Sequence, residues 1–226
     1  SFTQWSGDYP GFAQIELEQI YPGVNAMFWA GCGADQNPLP RRTVALAKHY
    51  GQRVAQSVDS VLRGTMASVE GKLVAHYKEI DGRTQEPIDR DQLNELLANG
   101  NQYEKPYAQY LLKQLGSRVS LPNSYSYPIQ TWHLGDIRMV FLGGEVVVDY
   151  AVKLKQRESG AKDTNIWVAG YSNDVMAYIP STRVLREGGY EGGTSNTYYG
   201  FPALWLSLIH ISEPTRRTPI SYAVFC

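Results

Sequence analysis

The chain has 226 residues, with 21 Lys and Arg against 22 Asp and Glu and a formal net charge of -1. A balance this near neutral and this evenly spread excludes a broad phosphate-binding face, and no apolar run reaches the length of a membrane span. The 16 tyrosines and 12 prolines indicate a loop-rich surface of the kind that lines a substrate cleft.

In chain order, Gly11 to Ile20 reads as a short amphipathic helix and "VNAMFWAG", Val24 to Gly31, as a buried strand entering a Gly-rich turn. After Pro40, the residues Val44, Ala47, Val54, Val58, Val61 and Leu62 recur at helical spacing and predict one long helix up to Gly64. Leu73 to Ile80 alternates as an exposed strand does. Asp89 caps a helix over Arg90 to Ala98, and a second polar helix follows over Glu104 to Leu115. Ile129 to Leu134 and Ile137 to Leu142 are strands around the turn "LGD". The second runs through Gly143 and Gly144 into a helix from Glu145 to about Arg157, and Ile166 to Ala169 is a further strand. Strands alternating with helices predict an α/β fold, whose ligand sites gather where strands end in turns. Three Gly-bearing turns do so here: "GCGADQNP", "LGGEV" and "AGYSND".

Leu206 to Cys226, "LSLIHISEPTRRTPISYAVFC", differs from the rest. Both of its ends back-translate, in one frame and in order, into the two parts of a transposase-based sequencing-library adapter. We therefore expect 206–226 to be a non-native, adapter-derived tail, set aside like any fusion residue. Without it the formal charge moves one unit more negative and Cys32 is the only cysteine, so no intrachain disulfide can be drawn. The start at Ser1, with neither Met nor a signal-like run, suggests an internal fragment.

Several residues invite chemistry. Glu145 follows paired glycines at a strand end. Its carboxylate can sit in a first helical turn, stabilised by the helix dipole, or ligate a metal. Tyr178 and Tyr190 bracket a charged stretch that reads as loop. They can be half-buried aromatics with hydrogen-bonded hydroxyls, or one phenol can bind metal while the other donates to a developing oxyanion. Asp35 and Asn37 suit turn hydrogen bonds, and Cys32 a small buried site. His49 in the long helix, and His76 and His133 in strands, have no ligand spacing between them, so no local motif builds a zinc site.

"GCGADQNP", "LGGEVVVDYAVKLK" and "VAGYSNDVMAYIPSTRVLREGGYEGGTSNTYYG", in this order and spacing, resemble the N-terminal catalytic domain of the neutral/alkaline, non-lysosomal ceramidases and its bacterial relatives. The resemblance implies an α/β domain with stacked β-sheets flanked by helices, incomplete here and covering 1–205. It implies zinc-dependent hydrolysis of a lipid amide, with no nucleic-acid partner and a secreted or periplasmic home. The family's zinc is held by two histidines, a glutamate and a tyrosine. By motif position the glutamate falls on Glu145. The ligand tyrosine falls on Tyr178, where family members read Tyr-Val-Thr-Thr and this chain reads Tyr-Ile-Pro-Ser. A second tyrosine, which polarises the scissile carbonyl, falls on Tyr190. The two histidine ligands belong upstream of Ser1, so the chain alone is expected to hold half a zinc site and to be inactive. Where the family reads Gly-Asp-x-Ser-Pro-Asn, Asn37 replaces a serine assigned as nucleophile. An amide cannot serve that role, whereas zinc-activated water would survive the change. The alternative is a non-catalytic scaffold that binds a lipid headgroup or a carbohydrate.

Overall fold

The computed structural model describes residues 4–158 and 165–206. The proposed tail from 207 onward lies outside them. The chain divides into two compact units, one of 1–30 with 36–70 and one of 31–35 with 71–226.

The first unit is a helix pair, α1 (Asp8–Ile20) and α2 (Val44–Leu62). Thr43 caps α2, its hydroxyl accepting from the Leu46 N–H at 3.2 Å, which offsets one of the orphan donors of the first turn. Periodicity placed both helices, but small residues make their contact. The buried residues are Ala13 on α1 and Gly51 and Ala55 on α2, while Val44, Val58, Val61 and Leu62 stay exposed. Gly51 is required by space: a Cβ there would stand 2.5 Å from Phe12 Cβ and 2.7 Å from the Tyr9 carbonyl oxygen.

The expected strand at Val24 to Gly31 is absent. Val24, Met27, Phe28 and Trp29 are exposed, and the backbone takes side-chain partners from α1 instead of a ladder. Gln14 Nε2 donates to the Ala26 carbonyl at 2.9 Å, and the Ala26 N–H donates to Glu18 Oε1 at 3.1 Å. An apolar run with no strand beside it to pair with has no reason to be a strand.

The second unit is α/β. Its four-stranded sheet has the order β1 (Val74–Arg83), β2 (Ser124–Leu134), β3 (Ile137–Leu142), β5 (Asn165–Ala169). The first three pair antiparallel, and the two-residue turn between β2 and β3 is the "LGD" hairpin. β5 pairs parallel to β3, which demands a long crossover, supplied by 143–164 with α5 (Val148–Glu158). β1 is exposed almost throughout. One face of the sheet, through Tyr127, Ile129, Val140, Leu142, Ile166 and Val168, packs into a core shared with Val147 and Tyr150.

Two more helices, α3 (Arg90–Asn99) and α4 (Glu104–Leu115), bury Leu93, Leu111 and Leu115 with Leu121 in a smaller core. Each such leucine contributes roughly 1.5–3 kcal/mol by burial. α3 starts as its sequence dictates, with Asp89 and Gln92 forming a reciprocal capping box.

The segment read as loop between Tyr178 and Tyr190 is mostly ordered into short elements. β6 (Tyr178–Ile179) pairs with β4 (Glu145–Val146) in a separate parallel ladder. α6 (Thr182–Glu187), a π-helical turn (Tyr190–Thr194) and α7 (Asn196–Tyr199) follow. Ser181 caps α6 through the Val184 N–H and donates to Asp149 Oδ2 at 2.5 Å. Arg183 grips the same carboxylate with two donors, Nε and Nη2, each at 3.1 Å, and also reaches Glu187 Oε2 at 2.8 Å and Asp35 Oδ2 at 3.8 Å. This guanidinium links the turn carrying Asp35 to α5 and α6.

Two outcomes follow. Gly51→Ala gains helix propensity of about 1 kcal/mol but drives a methyl into α1. Overpacking costs about 1–3 kcal/mol, so denaturant unfolding of the α1/α2 unit should show net destabilisation. For Arg183→Met, the sign follows from Asp149. Hydrogen bonding from Arg183 holds that carboxyl below its usual range, so the pair stabilises the fold above the unfolded carboxyl pKa of about 3.9 and loses that contribution as pH falls through the lower folded value. The wild-type advantage over the variant, small for a largely solvated pair, should be present at pH 6 and shrink progressively below pH ~4 in urea-unfolding measurements.

Candidate active site

Glu145 does not open a helix. It lies in β4, and α5 begins at Val148. The acid at that helix start is Asp35, whose Oδ1 accepts the Val148 N–H at 2.8 Å, with Asp149 in the first turn. The helix-dipole role considered for Glu145 therefore belongs to these two residues.

Glu145 instead faces across a ladder. In the β4–β6 pair it is in register with Tyr178, and its N–H donates to the Ala177 carbonyl at 2.9 Å. The paired glycines permit this approach. Gly144 has φ of 75°, and a Cβ on it would stand 2.6 Å from Ile179 Cγ1 and 2.7 Å from the Ala177 carbonyl oxygen. Only glycine meets both conditions. Three buried aromatics fix the surrounding backbone by their polar tips. Trp205 Nε1 donates to the Tyr178 carbonyl at 2.9 Å, Tyr150 to the Pro180 carbonyl at 3.2 Å and Tyr127 to the Gly143 carbonyl at 2.8 Å.

Tyr190, at the start of the π-helical turn, sets its ring against that of Tyr178 edge-to-face, with centroids 5.3 Å apart. The structure thus brings together Glu145, Tyr178 and Tyr190. Two residues without a sequence-based role join them. Tyr199 donates to Glu145 Oε1 and packs edge-to-face on Tyr178 at 6.0 Å. Tyr171 donates to Glu145 Oε2 at 3.4 Å. Both stood inside quoted motifs, Tyr171 in the Gly-bearing turn "AGYSND" and Tyr199 just before Gly200, but nothing in their spacing pointed at Glu145.

The phenols hold their protons. Burial, and then the charge and hydrogen bond of Glu145, push Tyr178 well above the usual phenol range. Tyr199 rises by burial and its hydrogen bond to Glu145, and Tyr190 chiefly by burial. At neutral pH each is a hydrogen-bond donor.

Asn37 belongs to the other unit, where Arg41 Nη1 donates to its Oδ1 at 2.6 Å. It lines a cleft of about 730 Å³ with Tyr9, Tyr50, Arg41 and Arg42. Asp35, expected to serve its own turn, reaches far along the chain, to the Val148 N–H and to Arg183. Cys32 is a free, buried cysteine whose thiol is pushed up to about 12 by burial, which suits a packing role and not a nucleophile.

Glu145 and Tyr178 offer two oxygen donors from paired positions of neighbouring strands. A carboxylate is an ordinary zinc ligand, and a phenol becomes one when the metal displaces its proton. The pair fits half of a tetrahedral shell. Among the described residues no cluster of three or more His, Cys, Asp or Glu completes it.

Among the described residues no helix is long and apolar enough to cross a membrane. No protein-family profile matches the chain, and no curated protein sequence matches it significantly. Solved structures do match. The neutral ceramidase from Pseudomonas aeruginosa superposes with a TM-score of 0.56 at 18% identity, over 86% of this chain and 39% of that one. A ceramidase complexed with C2 superposes with a TM-score of 0.57 at 15% identity, over 86% of this chain and 41% of that one. The chain therefore spans about two fifths of the length of each. At such identities the likeness is one of architecture: the chain has a ceramidase-like α/β fold.

Proposed function

We propose that this chain is part of a zinc-dependent amide hydrolase acting on a lipid amide, as the neutral ceramidases do. The observation that carries the reading is the β4–β6 register, which sets the Glu145 carboxylate beside the Tyr178 phenol with the Tyr190 ring against Tyr178. In this reading 1–205 is the incomplete catalytic domain, 206–226 is foreign, and two histidines from outside the chain complete the metal shell. The fold likeness supports this reading at the level of architecture.

Zinc, when bound, supplies Lewis acidity to water and to the scissile carbonyl. The chain's residues supply the rest. Glu145 would hold the metal with a carboxylate whose orientation is set by the ladder behind it, and Tyr178 would hold it as a phenolate, its proton released to solvent. Tyr190 is protonated at neutral pH as an ordinary phenol is, and burial only raises its pKa further, so its hydroxyl can donate to the oxygen that gains charge as the carbonyl becomes tetrahedral. Asn37 cannot attack as a serine would, so water is the nucleophile. The second reading, a scaffold that binds a headgroup or carbohydrate without hydrolysis, is favoured only by Asn37.

In the full-length protein, Tyr190→Phe should keep its zinc and lose about 10²–10³ in kcat, the usual effect of removing one oxyanion donor. Unchanged turnover removes that role. Glu145→Gln should fall well below one zinc per chain by elemental analysis, and full occupancy would exclude ligation by Glu145. Prolonged incubation of the wild-type protein with N-acyl amides separates the two readings, since a scaffold retains its ligand intact.

A further inference from the structure

We propose that Tyr199, seconded by Tyr171, is a positioning residue that holds the Glu145 carboxylate in its metal-binding orientation. The inference rests on the zinc hydrolase reading and concerns residues with no assigned part in it. Each oxygen of Glu145 accepts from a different phenol, Oε1 from Tyr199 and Oε2 from Tyr171 at 3.4 Å. A carboxylate has about four lone-pair sites, so these two phenols leave capacity for a metal while removing the freedom of the side chain to rotate away.

The two donors are themselves held by backbone. Tyr199 ends α7, and the chain then reverses at Gly200, with φ of 67° and so little space that a Cβ would stand 2.7 Å from the Tyr110 ring on α4. Asn196 Nδ2 closes the same turn onto the Ala203 carbonyl at 2.7 Å. Tyr171 takes a left-handed conformation, φ 55°, uncommon for a residue with a side chain. Its N–H donates to the Gly144 carbonyl at 2.9 Å, and the next N–H, that of Ser172, to the Leu142 carbonyl at 3.0 Å. The Tyr171 side chain thus leaves from a backbone tied to the residue just before Glu145. Partners that orient a ligand carboxylate in this way set metal affinity, and their loss costs about 10–100-fold.

The test uses the full-length protein and reads zinc affinity by competition with a chromogenic chelator, alongside the visible spectrum of the cobalt-substituted form. Tyr199→Phe should bind zinc about 10- to 100-fold more weakly and alter the cobalt bands, with the thermal midpoint of the metal-free protein close to wild type. Tyr171→Phe, which loses the longer hydrogen bond, should show a smaller loss in the same direction and tests the clamp independently should the first variant not fold. Tyr77→Phe is the control, because Tyr77 donates to Glu79 at 3.0 Å on exposed β1, and its affinity should not move. If the wild type holds zinc and both clamp variants behave like Tyr77→Phe, the clamp is overturned and the hydrolase reading stands. A wild type that takes no zinc overturns both.

Discussion

The site depends on a ladder only two residues long. β4 and β6 bring Glu145 and Tyr178 side by side from positions on either side of the α5–β5 crossover. So short a pairing cannot hold itself together, since each bond adds only about 1 kcal/mol net. It persists because everything around it is fixed independently. The Gly144 N–H is tied to the Asp174 carbonyl at 2.7 Å and the Val147 N–H to the Ile179 carbonyl at 3.3 Å, while Val146, Val147, Ala177 and Ile179 are fully buried. A glycine with positive φ and no room for a Cβ is what lets the two backbones close to this distance.

Around that ladder the electrostatics are asymmetric. One carboxylate accepts from phenols, and burial first, then that carboxylate, leaves phenols that resist ionisation. Neutral phenols suit two jobs. They donate to an oxygen that becomes negative during a reaction, and they donate to a carboxylate whose direction matters. Arg183, through its contacts to Asp149, Asp35 and Glu187, braces the elements that carry the site. Bracing charge and the Glu145–tyrosine cluster therefore occupy separate places, and the strength of the one is not bound to the protonation of the other.

Much of the frame was legible in the sequence because it is specified locally. The Asp89 cap starts α3, alternation marks β1, and the "LGD" turn separates β2 from β3. Helical spacing marks α2, even though its contact face proved to be Gly51 and Ala55 and not the valines that revealed it. The failures share one cause. The apolar run at Val24 to Gly31 and the polar stretch after Tyr178 were judged by composition, yet what decides a strand is whether an edge is there to pair with. A two-residue strand at Glu145 has no period to detect, so its sequence looks like the start of the helix that follows it. The grouping of Glu145, Tyr178 and Tyr190 came from family resemblance of the motifs, since residues 33 positions apart share no local signal.

The tyrosines sort themselves by where their hydroxyls go, and this sorting bears on the function more than their number does. Tyr127 and Tyr150 donate to backbone carbonyls and are nine-tenths or more buried. Such phenols satisfy the scaffold and are consumed by it. Tyr178, Tyr190 and Tyr199 are only partly buried or exposed, and their rings meet edge-to-face in a chain from Tyr199 through Tyr178 to Tyr190. Edge-to-face contact fixes ring orientation through the ring quadrupoles and leaves the hydroxyl rims unused by the packing itself. A scaffold needing only bulk at these positions would have no reason to prefer tyrosine to phenylalanine. The hydroxyls around Glu145 are therefore the part of this segment that ring packing does not explain, and the hydrogen bonds that Tyr199 and Tyr171 make to its carboxylate are where they go.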